Sequence, residues 1–268
     1  MTATDTFGDR LRLWRARRGI SQLDLAVKAL TTQRHISFLE AGRSKPGPDI
    51  VHRIASVLEL AARERNELLL AAGLAPAIPE MPLTELGPGS VLSSLQDLLH
   101  SFSPSPAILT RPPGDIVADN SAMSVFYDLV DPQLLRGPIN VYRLALHPLG
   151  LRPHIENFSS WAAHVTSALH ERSNRYLDGA YFQLAHELEE YVPAEILTGA
   201  LAGVLAPMRL RTRLGIIELI TGRMTLGNAA SVTLSELELE VFLPADSPSR
   251  DALAHLAETA KDGSTRPN

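Results

Sequence analysis

The 268-residue chain predicts an α+β fold, with an all-helical amino-terminal unit ahead of a larger unit of antiparallel strands and packed helices. Three observations carry this reading. Residues 5–74 keep helical periodicity throughout, with Gly19, Gly42 and Gly73 where helix ends fall. Residues 76–90, PAIPEMPLTELGPGS, hold four prolines and two glycines in 15 positions, too many for a regular element. Beyond them, short apolar runs such as PAILT and GIIELIT alternate with longer helical patterns, the texture of a sheet with helices over it.

Five helices are expected in the first unit, over 5–18, 21–29, 32–40, 48–58 and 61–72. Ser21 and Thr32 suit N-caps, because a side-chain oxygen satisfies a free backbone N–H of the first turn. Pro48 and Asp49 suit a first helical turn. In the second unit, 106–110 and 115–120 read as a strand pair around a PPGD turn. Helices are expected at 121–130, 153–175 and 179–191, and strands at 204–212, 215–221 and 235–245. The expected boundaries are a first domain over 1–75, a linker over 76–90, a second domain over 91–247 and a tail over 248–268.

Composition narrows the function. There is no cysteine, which excludes disulfides, Cys-ligated zinc and iron–sulfur clusters and fits a cytoplasmic location. The opening MTATDTFGDRLR lacks the apolar core of a signal peptide. The run ILTGALAGVLAPM (196–208) is shorter than the ~20 residues of a membrane span. Residues 1–78 carry 12 Lys and Arg against 8 Asp and Glu, while the remainder carries 13 against 22. A basic head on an acidic body confines any polyanion to the head.

The stretch SQLDLAVKALTTQRHISFLEAGRSKP (21–46) gives the head a purpose. On a helix over 32–40, Thr32, Ile36 and Leu39 fall within an arc of about 60°, while Gln33, Arg34 and Ser37 spread over an opposing arc of about 100°. The first arc docks on the protein. The second offers an amide, a guanidinium and a hydroxyl, groups that hydrogen-bond base edges in the major groove. Gln22 lies at the preceding helix start, where free N–H groups favour a phosphate. Arg43 and Lys45 follow in a short loop suited to a phosphate strand. The expected DNA-binding set is Gln22, Thr32, Gln33, Arg34, Ser37, Arg43 and Lys45. Phe38 projects beside the polar arc; a thymine methyl, the other domain or Arg34 are all available to it.

Residues 7–72 resemble the lambda-repressor-like helix-turn-helix of the XRE family. The resemblance rests on Leu11-Arg12-x-Trp14-Arg15, Arg18-Gly19-Ile20-Ser21-Gln22, Leu25-Ala26, Ile36-Ser37-x-Leu39-Glu40-x-Gly42-Arg43-x-x-Pro46 and Leu58. One departure stands out: that family usually has Gly-Val-Ser at the inter-helix turn, where this chain has Leu30-Thr31-Thr32.

Residues 91–246 resemble the MmyB-like ligand-binding domain. The residues are Pro106-Ala107, Ala118-x-Asn120, Asn140-Val141-x-Arg143-Leu144-x-Leu146-His147-Pro148-x-Gly150-Leu151, Trp161-x-x-His164, Leu210-Arg211-Thr212, and Val232-Thr233-Leu234-Ser235-Glu236-Leu237 leading to Phe242-x-Pro244-Ala245-Asp246. The resemblance implies a PAS-like sheet under helices, with a cavity for a fatty-acid-like molecule. An acyl site needs an apolar wall and one cationic or hydrogen-bonding anchor. The expected ligand set is Arg143, His147 and Arg211 as anchors with Leu146, Phe126 and Trp161 as wall. Arg143 has an alternative in an internal pair with Asp119, Asp128 or another carboxylate.

Catalysis and metal binding find no support. Histidines 147, 154, 164, 170 and 186 are separated by 7, 10, 6 and 16 residues, unlike the i, i+4 pairs of metal-binding helices. HExxH, GxSxG and a phosphate-binding glycine loop are missing from the sequence. The expectation is a cytoplasmic, non-enzymatic, cofactor-free regulator that binds operator DNA as a homodimer and answers to a small hydrophobic ligand. The alternative is a second domain that serves protein interaction or dimerisation without a ligand.

Overall fold

The computed structural model describes residues 6–81, 91–175, 179–193, 207–226 and 231–262. The chain divides into two compact units. One comprises Met1–Met81 with Asn228–Ser235, the other Pro82–Gly227 with Glu236–Asn268.

The first unit carries α1 (Phe7–Arg17), α2 (Gln22–Lys28), α3 (Gln33–Glu40), α4 (Pro48–Val57) and α5 (Ala62–Ala71). Their starts follow local chemistry. Thr6 and Asp9 form a reciprocal capping box, and the Ser21 and Thr32 hydroxyls accept from the N–H groups of Asp24 and His35. Leu11, Trp14, Leu25, Ile36, Leu39, Ile54 and Leu58 form the core and are almost wholly buried. Thr32 departs from its expected inward arc: its residue is exposed, because its hydroxyl is used as the cap.

The turn between α2 and α3 keeps a left-handed backbone without glycine. Leu30 has φ 53°, and the Thr31 N–H reaches back to the Ala26 carbonyl at 2.9 Å. Without a glycine, a leucine takes the left-handed position of the turn.

A buried carboxylate ties three helices together. Glu40, at the end of α3, accepts from Arg15 Nε at 2.7 Å and from Gln22 Nε2 at 2.7 Å, while Arg12 Nη2 donates to its backbone carbonyl at 2.8 Å. Gly8 lets α1 approach this point, since a Cβ there would strike the carbonyls of Leu39 and Glu40.

Part of the proline-rich stretch belongs to this unit. The Asn66 side chain accepts from the N–H groups of Ala77 and Ile78 and donates to the Ile78 carbonyl at 2.6 Å. Residues 82–90 of the expected linker lie outside the described residues.

The second unit opens with α6 (Val91–Ser101), followed by β1 (Ala107–Arg111), β2 (Asp115–Asp119), α7 (Ser124–Tyr127) and α8 (Val141–Leu146). Next come α9 (Phe158–Arg175), α10 (Gly179–Glu189), β3 (Met208–Thr212), β4 (Gly215–Thr225), β5 (Glu238–Pro244) and α11 (Ser247–Asp262). The five strands form one antiparallel sheet in the order β2-β1-β5-β4-β3. The expected strand over 204–212 covers Met208–Thr212 in its described part.

Several elements differ from expectation. The tail expected from 248 is in fact helical to Asp262: Asp246 accepts from the Ser249 N–H, and Leu253 is buried with Leu256 packed on the core. Helices α6 and α8 were not expected. Helix α6 holds through the buried pair Leu95 and Leu99, one turn apart. Helix α8 spans only six residues, too few for periodicity to register. Its start is set by Asn140, whose Oδ1 accepts from the N–H groups of Tyr142 and Arg143 and whose Nδ2 donates to Asp115. The expected helix over 121–130 is a 3-10 turn followed by the single turn of α7. Of the expected strand over 235–245, the start is taken by a short helix, Val232–Ser235, that belongs to the first unit.

Leu30→Gly is expected to stabilise the first unit. A leucine at positive φ costs ~1–2 kcal/mol, and the unfolded-state freedom of glycine returns ~0.5–1 kcal/mol of that. The side chain is 78% exposed, so little burial is lost. The thermal midpoint of the helical unit should rise by about 2–4 °C, readable by circular dichroism.

Candidate nucleic-acid interface and ligand cavity

On α3 the residues expected to read bases fall into place unevenly. Gln33 and Arg34 are exposed in its first turn, while Ser37 is half-buried. Arg34 stacks on the half-buried Phe38 ring, its guanidinium carbon 5.1 Å from the centroid, so Phe38 takes the last of its three options. The stack limits the rotamers of Arg34 and leaves the edge of the guanidinium free. Thr32 contributes its cap, and Thr31 Oγ1 lies 2.9 Å from His35 Nδ1. Gln22 is half-buried, with one amide hydrogen committed to Glu40. Arg43 and Lys45 are exposed beyond the end of α3. Glu40, which positions Gln22, was quoted in the sequence only as a family-like residue. Its spacing alone does not reveal that it faces inward.

In the second unit a cavity of about 40 Å³ lies between the sheet and the helices. Its apolar wall includes Phe126 and Trp161 with Met123, Val165, Met208 and Phe242. Phe126 and Phe242 meet edge to face at 4.9 Å. The other expected ligand residues lie elsewhere. Leu146 is fully buried in the core but does not line the cavity. His147 packs edge-on against Tyr191 at 4.7 Å, and its Nδ1 accepts from the Leu149 N–H. Arg211 is largely exposed and pairs with Glu156 at 3.2 Å.

Arg143 is corrected in the same way. It does not face the cavity but takes its alternative, an internal pair with another carboxylate: a two-pronged pair with Glu187, both N–O distances 2.7 Å. Its hydrogen bonds hold the Glu187 carboxyl below its ordinary range. Gly150 is also structural: it passes so close to the Leu144 carbonyl that a Cβ has no room. Much of the Asn140–Leu151 motif is therefore scaffolding.

The polar groups that do reach the cavity were missed. Arg223 on β4 and Glu240 on β5 sit opposite each other in the sheet, with Arg223 Nη2 3.3 Å from Glu240 Oε1. Next to them a second hollow of about 10 Å³ is lined by Tyr142, Arg172, Tyr181 and Glu238 among others, and it shares Tyr142 and Glu240 with the first. Arg172 donates to Glu238 at 2.6 Å. Burial pushes the Glu240 carboxyl up against the pull of Arg223, and it pushes the Tyr142 and Tyr181 phenols up as well. One signal existed in ELELEVFLP: its alternation puts Glu238, Glu240 and Phe242 on one face. A face that reads as solvated is covered by helices instead.

Among the described residues no cluster of His, Asp or Glu has metal-binding geometry, and no helix is long and apolar enough to cross a membrane.

A helix-turn-helix unit and a PAS-like sheet domain with an internal cavity define a DNA-binding transcription regulator with a ligand-sensing domain. Family models agree: residues 91–256 match the MmyB-like transcription regulator ligand binding domain and residues 6–68 a helix-turn-helix domain. The chain belongs to the MmyB-like transcription regulators. No curated protein matches it. Among solved structures, the "Structure of an RNA-binding Light-Oxygen-Voltage Receptor" aligns at 11% identity with a TM-score of 0.28, too low to argue from. That alignment covers 96% of this chain and 64% of that one, so this chain spans less than two thirds of its length.

Arg143→Ala is expected to cost ~0.5–1 kcal/mol, since both partners are partly exposed. A depressed Glu187 contributes stability that is present in full above its ordinary value of 4.5 and fades as pH falls through the lowered one. The difference between wild type and variant in urea denaturation should therefore shrink toward acid.

Proposed function

We propose that this protein binds operator DNA through α3 and changes its operator affinity when a small hydrophobic effector, a fatty acid or acyl derivative, enters the second domain. The observation that supports the reading best is the division of α3. Ile36 and Leu39 are buried, and Gln33 and Arg34 stand exposed in its first turn. Gln33 and Arg34 suit adenine and guanine edges respectively, with Ser37 at their side. Arg43, Lys45 and the second amide hydrogen of Gln22 suit phosphates. Thr32 serves by fixing the start of the helix. Two copies would meet half-sites about one helical turn, ~34 Å, apart.

The mechanism is a population shift. An effector that favours one arrangement changes operator affinity by its differential affinity, typically worth ~1–3 kcal/mol. A cavity of about 40 Å³ holds a water or two, so an acyl chain must widen it. That small volume also favours a second reading, in which the domain serves dimerisation or protein contact without a ligand.

Arg34→Ala should weaken operator binding by ~1–3 kcal/mol and relax preference at one base position, measured by binding-site selection followed by titration of the selected operator. Unchanged affinity and selectivity would remove α3 from the bases. Arg43→Ala should weaken all sequences alike and lower the slope of log K against log salt by about one, read from binding isotherms across salt concentrations.

A further inference from the structure

The second domain buries charge where a plain core would not. Glu238 and Glu240 share the face of β5 that meets the helices, Glu240 with only 7% of its surface exposed. Arg172 from α9 and Arg223 from β4 answer them, one cation for each carboxylate. Buried ion pairs of this kind are often no more stabilising than the apolar residues that could replace them.

Tyr142 brings a neutral hydroxyl to the cluster. It is 4% exposed, and its ring lies against Gly114, where a Cβ would collide with it at 2.6 Å. Its side chain lines both hollows. None of the hydrogen bonds among the described residues engages its hydroxyl. A phenol in that position both donates and accepts. The adjoining wall of Phe126, Trp161 and Phe242 is apolar.

We propose that this polar end is the head-group subsite of the effector, and that it takes an uncharged head, an alcohol, ester or lactone oxygen, hydrogen-bonded to Tyr142 with the apolar body against Phe126 and Trp161. The charge balance is the reason. Arg172 and Arg223 are already matched by Glu238 and Glu240, so an ionised carboxylate would enter with no cation of its own and two carboxylates nearby. Tyr181 and Glu236 are the other titratable groups lining the smaller hollow, and Arg111 beside them lies 3.7 Å from Asp115. A free acid must therefore bind with uptake of a proton, on itself or on Glu240, whereas a neutral head needs none. This inference rests on the sensor reading above and narrows it to acyl derivatives without a free carboxylate.

Calorimetric titration of the full chain with 1-octanol, methyl octanoate and octanoic acid, from about pH 6 to about pH 8, separates the possibilities. The neutral probes should bind at least about tenfold tighter than octanoate at the upper end and with pH-independent affinity, while octanoate should weaken about tenfold per pH unit. Tyr142→Phe keeps the ring and should weaken 1-octanol about five- to tenfold. Octanoate binding as tightly at high pH as at low, or 1-octanol affinity unmoved by Tyr142→Phe, overturns the uncharged-head assignment and leaves the sensor reading standing. If none of the three probes binds, the sensor reading falls and this inference with it.

Discussion

The DNA-binding unit depends on one buried carboxylate. Glu40 sits at the end of α3 and takes hydrogen bonds from Arg15 on α1 and Gln22 on α2. Taking a carboxylate and a guanidinium out of water costs several kcal/mol, recovered only if geometry and remaining hydrogen bonds are good. The Arg15 contact to the Ile20 carbonyl and the Arg12 contact to the Glu40 carbonyl supply those further bonds. The reward is orientation: the end of α3 and the start of α2 are held to one another, so the polar stripe of α3 faces outward in a defined direction. Apolar contacts through Ile36 and Leu39 hold α3 down but specify its rotation less narrowly.

The second unit solves a related problem differently. Its sheet carries charge on a covered face, and each carboxylate there is paired, Glu240 with Arg223 across β5 and β4 and Glu238 with Arg172 from a helix above. Arg143 and Glu187 form a pair of better geometry at the surface, where water screens it. Short distance and functional position are therefore different properties here. The buried pairs change most in strength if the surrounding hollow fills or opens, because the dielectric around them changes most.

Legibility differed by element for physical reasons. Helices α1 to α5 were readable because caps, glycines and 3.6-residue periodicity act within a few residues of each other. Asn140 looked like a motif residue and proved to be a cap for six residues that show too little periodicity to read. Helix α11 was hidden because only Leu253 and Leu256 among its apolar residues are large, the rest being alanines. The cavity wall was half legible. Phe126 and Trp161 are bulky apolar residues that must be buried somewhere, whereas Arg143, His147 and Arg211 suit an anchor by residue type alone and pair elsewhere. The partner of Arg143 lies 44 residues away in sequence. Glu240 went unremarked because alternation along a strand tells which residues share a face and nothing about what covers it.

By itself the sequence determined the two-unit plan, the helix boundaries of the first unit, the identity of the outward groups on α3 and the antiparallel texture of the second. These depend on local backbone preference and on periodicity, both written in consecutive residues. The tertiary structure alone decided which charges are spent on one another and which polar groups face a hollow. Glu40 meets Arg15 across 25 residues and Arg172 meets Glu238 across 66. Electrostatic pairing acts through space at a few ångströms, and the chain order of the partners carries no record of it.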